Sequence, residues 1–178
     1  HMTVRRDLEI LQAEGQVRLF HGGVSMVGPG SSPNRSASDG GHSPYLLSTA
    51  EYENREKKQR IAARAVSSLQ NYDTVFLDGG STTELIASQI PEDIDLTVIC
   101  WSLNVLCIVA GKPNVKTIVL GGRYHDTSGV FAGTEGVEQL KRIRVTKAFM
   151  SANSIEPELG VTCSNGFEVT IKEAALSS

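Results

Sequence analysis

From Thr74 onward, short apolar runs alternate with helical patterns, and this alternation restricts the fold more than any other feature of the sequence. Residues 74–77, 95–100, 115–120 and 146–152 read as strands, and residues 82–89, 103–110, 134–142 and 168–176 as helices. The runs LTVIC and VKTIVL are rich in Val, Ile and Leu without polar alternation. That pattern belongs to strands buried on both faces. The expectation is an α/β fold, a parallel sheet flanked by helices with right-handed crossovers.

In such sheets ligands collect at the carboxyl ends of the strands. The first strand runs straight into Asp78-Gly79-Gly80-Ser81-Thr82-Thr83, and a helix follows. Gly79 and Gly80 let the backbone turn and approach a ligand with no Cβ in the way. Ser81, Thr82 and Thr83 bring hydroxyls, and the helix start adds free N–H groups and a positive dipole end. This combination suits a phosphate monoester. An ordinary strand-to-helix turn with a Ser/Thr cap uses the same residues, and the loop alone leaves both readings open. No Gly-Lys-Ser/Thr follows and no GxGxxG occurs, so ATP and NAD lose ground and no cofactor is expected.

Other strand ends carry similar signals. Trp101-Ser102-Leu103-Asn104 follows one strand, and Gly121-Gly122-Arg123-Tyr124-His125 another. Asn153 and Ser154 follow a third. Glu168 and Lys172 stand four apart on the last helix, the spacing of an ion pair, which is more often a surface bridge than a site. Catalytic patterns are missing: there is no GxSxG, and no compelling Ser–His–Asp order. His21, His42 and His125 are scattered, so no metal is expected. Asp78 beside a sugar would serve as a general base, which keeps a sugar-phosphate isomerase or deaminase as the enzymatic alternative.

The length of 178 residues suits one main domain with a small appendage. A net charge of −3 means that any nucleic-acid binding has to come from a local patch. Cys100, Cys107 and Cys163 form neither a disulfide framework nor a metal spacing, which fits reduced cytoplasmic thiols. No apolar run reaches membrane-spanning length, and no signal peptide is visible.

Upstream, residues 3–15 read as a helix with Val4, Leu8 and Leu11 on one face. Thr3 can cap it and Gly15 can end it. QVRLFHGGV then alternates like one or two short strands around Gly22-Gly23. Residues 25–44 are rich in Gly, Ser, Pro, Asn and Asp and read as a linker. Residues 48–70 read as one long helix whose charged first half is a solvated face.

These pieces, in this order, resemble the bacterial DeoR-type transcription regulators. TVRRDLEIL is similar to their recognition helix, AEG to the turn after it, and the stretch ending in HGG to the wing. VFLDGGSTT, ICWSLN, VLGGRYH, TKAFMSA and GVTCSNGFEVTIK agree downstream, so the likeness covers nearly the whole chain. Each piece is short; the ordered set is specific. YLLS, CWSLN, GGRYH and GVTCSN look similar to the branch that represses deoxyribonucleoside operons, which would suggest deoxyribose 5-phosphate.

The resemblance implies a winged helix-turn-helix in front of a sensor with a ribose-5-phosphate isomerase or glucosamine-phosphate deaminase-like fold. It implies a remnant of the winged domain at 1–24, a linker at 25–47 and the sensor at 48–178. The implied partners are operator DNA and a phosphorylated sugar effector, in a homo-oligomer that sets two winged heads on DNA. Asp78, Gly79, Gly80, Ser81, Thr82 and Thr83 match the phosphate and sugar loop, and Asn104, Gly121, Gly122 and Lys172 match other pocket positions. Thr3, Arg5 and Arg6 would meet DNA from the recognition helix, and Arg18 and His21 from the wing. Beside the family pattern the chain reads as shortened at both ends, with the leading helices and further C-terminal strands expected elsewhere. His1-Met2 reads as a scar of tag removal. A recognition helix without its supporting helix is expected to hold operator DNA weakly.

Overall fold

The computed structural model describes residues 11, 14, 17–20, 23–26, 47–50, 53–158, 160–163 and 165–178. The chain divides into two units, His1–Ser43 and Pro44–Ser178. In the first, β1 (Val17–Phe20) and β2 (Gly23–Met26) pair antiparallel, with Arg18 opposite Ser25. The helix expected over 3–15 lies outside the described residues except at 11 and 14.

The second unit carries the alternating pattern. Its elements begin with α1 (Leu47–Ala50), α2 (Arg55–Val66), β3 (Thr74–Leu77), α3 (Ser81–Gln89), β4 (Leu96–Cys100), α4 (Leu103–Val109) and β5 (Val115–Val119). They continue with β6 (Arg123–His125), β7 (Val130–Ala132), α5 (Thr134–Leu140), β8 (Lys147–Phe149), β9 (Ser154–Glu156) and β10 (Gly160–Thr162). A 3-10 turn, Gly166–Glu168, leads into α6 (Val169–Ser177). β5, β4, β3 and β8 form a four-stranded parallel sheet in that order. Leu77 pairs with both Cys100 and Phe149, and Cys100 with Val119. All four strands therefore end level, and the loops after them gather at one edge.

Both faces of the sheet are covered, which is why the strands read as continuous apolar runs. Val75, Leu77, Val98 and Cys100 face a core with Ala62 of α2, Ile86 and Ala87 of α3, and Val105 and Val109 of α4. Phe76 and Ile99 face the other way, into a core with Trp101, Leu120, Val130, Leu140 of α5, and Ile171, Ala174 and Ala175 of α6. β5 is an edge strand and is less buried, with Val119 exposed.

Two expectations need correction. The single helix over 48–70 is two helices, because Asn54 adopts a left-handed conformation (φ 52°) ahead of α2. Asn tolerates that region better than most residues. The helix also ends at Val66, and Ile61 on it is 53% exposed. In addition, the chain forms two antiparallel hairpins, β6–β7 and β9–β10, in stretches read as neither strand nor helix. An isolated bridge between Ser102 and Val130 ties the first hairpin to the end of β4.

Candidate functional site

Asp78, one residue past the end of β3, is fully buried. Oδ1 accepts hydrogen bonds from the Gly79 N–H and from Trp101 Nε1, each at 2.8 Å. Oδ2 accepts from the Ser151 N–H at 2.8 Å, from Ser151 Oγ at 2.9 Å and from Lys172 Nζ. Lys172 also donates to the backbone carbonyl and the hydroxyl of Ser151, each at 3.1 Å, and lies 3.5 Å from Glu168 Oε2. Burying a carboxylate is costly unless it is paired and hydrogen-bonded. Here five donors converge on it, about as many as its lone pairs can take. The ends of β3, β4 and β8 are thereby joined to α6 through one charge.

Glu168 and Lys172 are both about nine-tenths buried, so the surface-bridge reading of that pair is corrected. All five of these hydrogen bonds fall on the carboxylate that the enzymatic alternative would use as its base.

The loop after Asp78 is tightly held. Gly80 has φ 142°, a conformation that L side chains rarely adopt. Its carbonyl accepts from Thr83 Oγ1 at 2.9 Å, the Glu84 N–H at 3.1 Å and, more loosely, Asn104 Nδ2 at 3.4 Å. Asn104 Nδ2 also donates to Glu84 Oε2 at 2.8 Å. A Cβ on Gly79 would lie 2.6 Å from Val130 Cγ1, so packing as well as ligand access asks for glycine there. Ser81, the first residue of α3, is buried and its Oγ accepts from Lys58 Nζ at 2.8 Å. No side chain caps the start of α3, and the half-buried Thr82 has no side-chain hydrogen bond among the described residues. The free N–H groups of this helix start lie at the same edge of the sheet as the Asp78 network.

Beside this loop is a cavity of about 40 Å³, lined by Gly79, Trp101, Ser128, Ser151, Asn153 and Glu168 among others. Ser128 Oγ and Ser102 Oγ are buried and have no hydrogen-bond partner in the protein among the described residues.

The structure thus brings together Asp78, Gly79, Gly80, Ser81, Thr82, Thr83, Asn104 and Lys172. Gly121 and Gly122 are engaged differently. Gly122 (φ 152°) packs so closely that a Cβ would lie 2.3 Å from the Ala132 backbone, and the Gly121 carbonyl lies under Gly136. Among the described residues, no hydrogen bond links either glycine to the Asp78 loop. Thr3, Arg5, Arg6 and His21 lie outside the described residues; Arg18 lies in β1. Ser151 and Lys58 were not singled out from the sequence, and Trp101 was named only within a strand-end run. Ser151 sits in a stretch that reads as strand, and Lys58 is one of many charges on α2.

Residues 53–178 match the family model described as the DeoR C terminal sensor domain, and residues 1–29 match the DeoR-like helix-turn-helix domain. The chain is 32% identical over 176 residues to the deoxyribose operon repressor of Escherichia coli K12. It is 28% identical over 171 residues to the HTH-type transcriptional regulator IolR of Bacillus subtilis 168. It is 29% identical over 181 residues to the lactose phosphotransferase system repressor of Lactococcus lactis subsp. lactis. These alignments cover 99%, 96% and 99% of this chain, and 65%, 63% and 66% of the respective relatives. The chain therefore spans just under two-thirds of the length of these curated relatives.

Proposed function

This chain belongs to the DeoR family, and on that premise we propose that it comes from a transcriptional repressor of sugar or nucleoside catabolism whose α/β unit binds a phosphorylated sugar. The sensor occupies residues 48–178, behind a linker at 25–47 and a winged helix-turn-helix segment at 1–24. Thr3, Arg5 and Arg6 contact operator DNA from the recognition helix, and Arg18 and His21 contact its backbone from the wing. The protein acts in the cytoplasm as a homo-oligomer. Among the described residues no helix is long and apolar enough to cross a membrane.

The observation that carries the reading is the uncapped start of α3 on the glycine loop, beside a carboxylate fixed by five donors. Gly79 to Thr83 cradle the phosphate. Asp78 and Lys172 hold the loop and the neighbouring strand end in register, and Asn104 braces Gly80 and Glu84 from α4. Gly121 and Gly122 shape the adjoining strand end. The site senses rather than catalyses; Asp78, weighed as a base for the enzymatic alternative, makes its hydrogen bonds within the protein. Effector binding favours one conformation of the sensor over another and so changes operator affinity.

A thermal-shift panel of pentose and hexose phosphates tests this. A true effector at 100 times its dissociation constant adds roughly 2.7 kcal/mol of stability, and the unphosphorylated sugar adds none. Turnover of any of these sugar phosphates, or indifference to all of them, would overturn the reading.

A further inference from the structure

We propose that the turn at residues 126–129, which joins β6 to β7, is a relay between the cavity beside the glycine loop and α1. The proposal rests on the reading of the α/β unit as a sugar-phosphate sensor, and it names the route by which occupancy leaves the site.

One wall of the cavity belongs to this turn. Ser128 is 4% exposed and lines the cavity with Gly79, Trp101, Ser151 and Glu168. Its Oγ has no hydrogen-bond partner in the protein among the described residues. Next to it, across the bridge between Ser102 and Val130, the Ser102 Oγ is buried and unpartnered in the same way. A buried hydroxyl without a partner is costly, so this pair favours a polar occupant. The cavity, about 40 Å³, has room for roughly one water-sized group. A single hydroxyl meets that limit, whether it belongs to the effector or to a water that the effector orders.

The residues on either side of Ser128 hold α1. The Thr127 carbonyl accepts from the N–H of Leu47, the first residue of α1, at 3.1 Å. Gly129 lies under the Leu47 side chain, where a Cβ would come within 3.1 Å of Leu47 Cδ2. The turn is braced on itself and on α4. The Gly129 N–H donates to the His125 carbonyl at 2.8 Å, and the Gly129 carbonyl accepts from the Leu103 N–H at 2.8 Å. Asp126 Oδ1 accepts from the Thr127 N–H at 2.9 Å. Packed, braced segments shift as bodies rather than bending residue by residue. A polar group bonded to Ser128 therefore steadies the carbonyl that holds Leu47. α1 stands at the end of the proposed linker, so what steadies α1 also steadies the point where that linker meets the sensor.

Native-state amide exchange of the chain provides the test. Ribose 5-phosphate, 2-deoxyribose 5-phosphate and glucose 6-phosphate are the probes. A probe that binds should slow exchange of the Leu47 N–H by about tenfold, the worth of one hydrogen bond. The Lys112 N–H, bonded to the Val109 carbonyl past the end of α4, serves as the control and should change by less than about twofold. Coupling is reciprocal, so Leu47→Ala, outside the cavity lining, should weaken binding of the same probe several-fold in calorimetry. Saturation of the wild-type chain with Leu47 exchange unchanged would overturn the relay and leave the sensor reading standing, and so would unchanged affinity in Leu47→Ala. If no probe binds, the sensor reading fails and the relay is judged without a ligand. Ser128→Val adds bulk at the cavity wall, and the overpacked turn should speed Leu47 exchange by at least about threefold. Ser128→Thr, a smaller intrusion, takes its place if that variant does not fold. A folded Ser128 variant whose Leu47 N–H exchanges as in wild type would overturn the relay whatever the ligand.

Discussion

Lys172 reaches back across 94 residues of sequence to set its ammonium on Oδ2 of Asp78, at the end of an interior strand of the sheet. Both groups are buried, so each is tolerated because the other is present. Lys172→Met should cost about 3–5 kcal/mol, the usual penalty for leaving half of a buried pair. The double variant Asp78→Ala/Lys172→Met should cost less than the sum of the two single changes. Urea unfolding midpoints measure both; strict additivity would mean that the pair is not coupled.

The indole of Trp101 is a second support of the same carboxylate. Trp101→Phe keeps most of the packing and removes only the donor to Oδ1. A loss of about 1–3 kcal/mol is expected from the unsatisfied acceptor. Denaturant unfolding followed by circular dichroism would show it, and an unchanged midpoint would mean that the bond contributes little.

Gly121 and Gly122 should part company under mutation. A methyl group at Gly122 runs into the Ala132 backbone, in a φ region unfriendly to alanine, whereas at Gly121 nothing lies within 4 Å. Gly122→Ala should lose on the order of 3 kcal/mol, and Gly121→Ala should stay within about 0.5 kcal/mol of wild type. A Gly121→Ala protein of normal stability that loses sugar-phosphate response would assign that residue to the ligand. Retained response would leave Gly121 outside the ligand site.

Asp73, at the foot of β3, supplies an acid-sensitive contact. Burial pushes its carboxyl up, but hydrogen bonds from Lys147, the Gln70 N–H and Thr146, with the charge of Lys147, outweigh that and hold it below the ordinary value. A lowered folded-state value stabilises the fold above the unfolded-state pKa, about 3.9. That stabilisation is lost as pH falls through the folded-state value. Asp73→Asn should therefore be less stable than wild type at pH 7, and its stability should fall less between pH 5 and the acid limit. Thermal melts across that range check the slope, and parallel curves would refute it.

The three thiols should react in order of access. Burial raises the Cys100 thiol to about 12, so almost no thiolate forms at neutral pH, and the side chain is enclosed as well. Cys107 is exposed, and Cys163 is intermediate with its value also raised by burial. A thiol reagent should label Cys107 first and Cys100 only on unfolding. Rapid labelling of Cys100 in the native protein would contradict the packing of β4.

The alternation of strand and helix was legible in the sequence because both faces of the sheet are covered. Val75 and Leu77 point to one core and Phe76 to the other, so the run has no polar gap. The hairpins were not legible. RYH, VFA, SIE and GVT are three residues each, too short to show a period, and their pairing depends on contacts such as Ser102 with Val130. The glycine loop was legible as a strand-to-helix turn, while several of its supports were not. Nothing local marks Ser151 inside FMSA as a double donor to a carboxylate 73 residues earlier. Lys58 looks like its neighbours until the tertiary fold turns it inward.

The Asp78 network also has a bearing on how the chain is made. Its carboxylate leaves the ribosome 94 residues ahead of the lysine that neutralises it. At roughly 5–20 residues per second, that is an interval of about 5 to 20 seconds. During that time β3 and β4 can pair, but the end of the sheet holds a charge without its main counterion. The carboxyl edge of the sheet should accordingly be the last part of the unit to lock, and a nascent chain halted before residue 172 should expose it to chaperones and proteases.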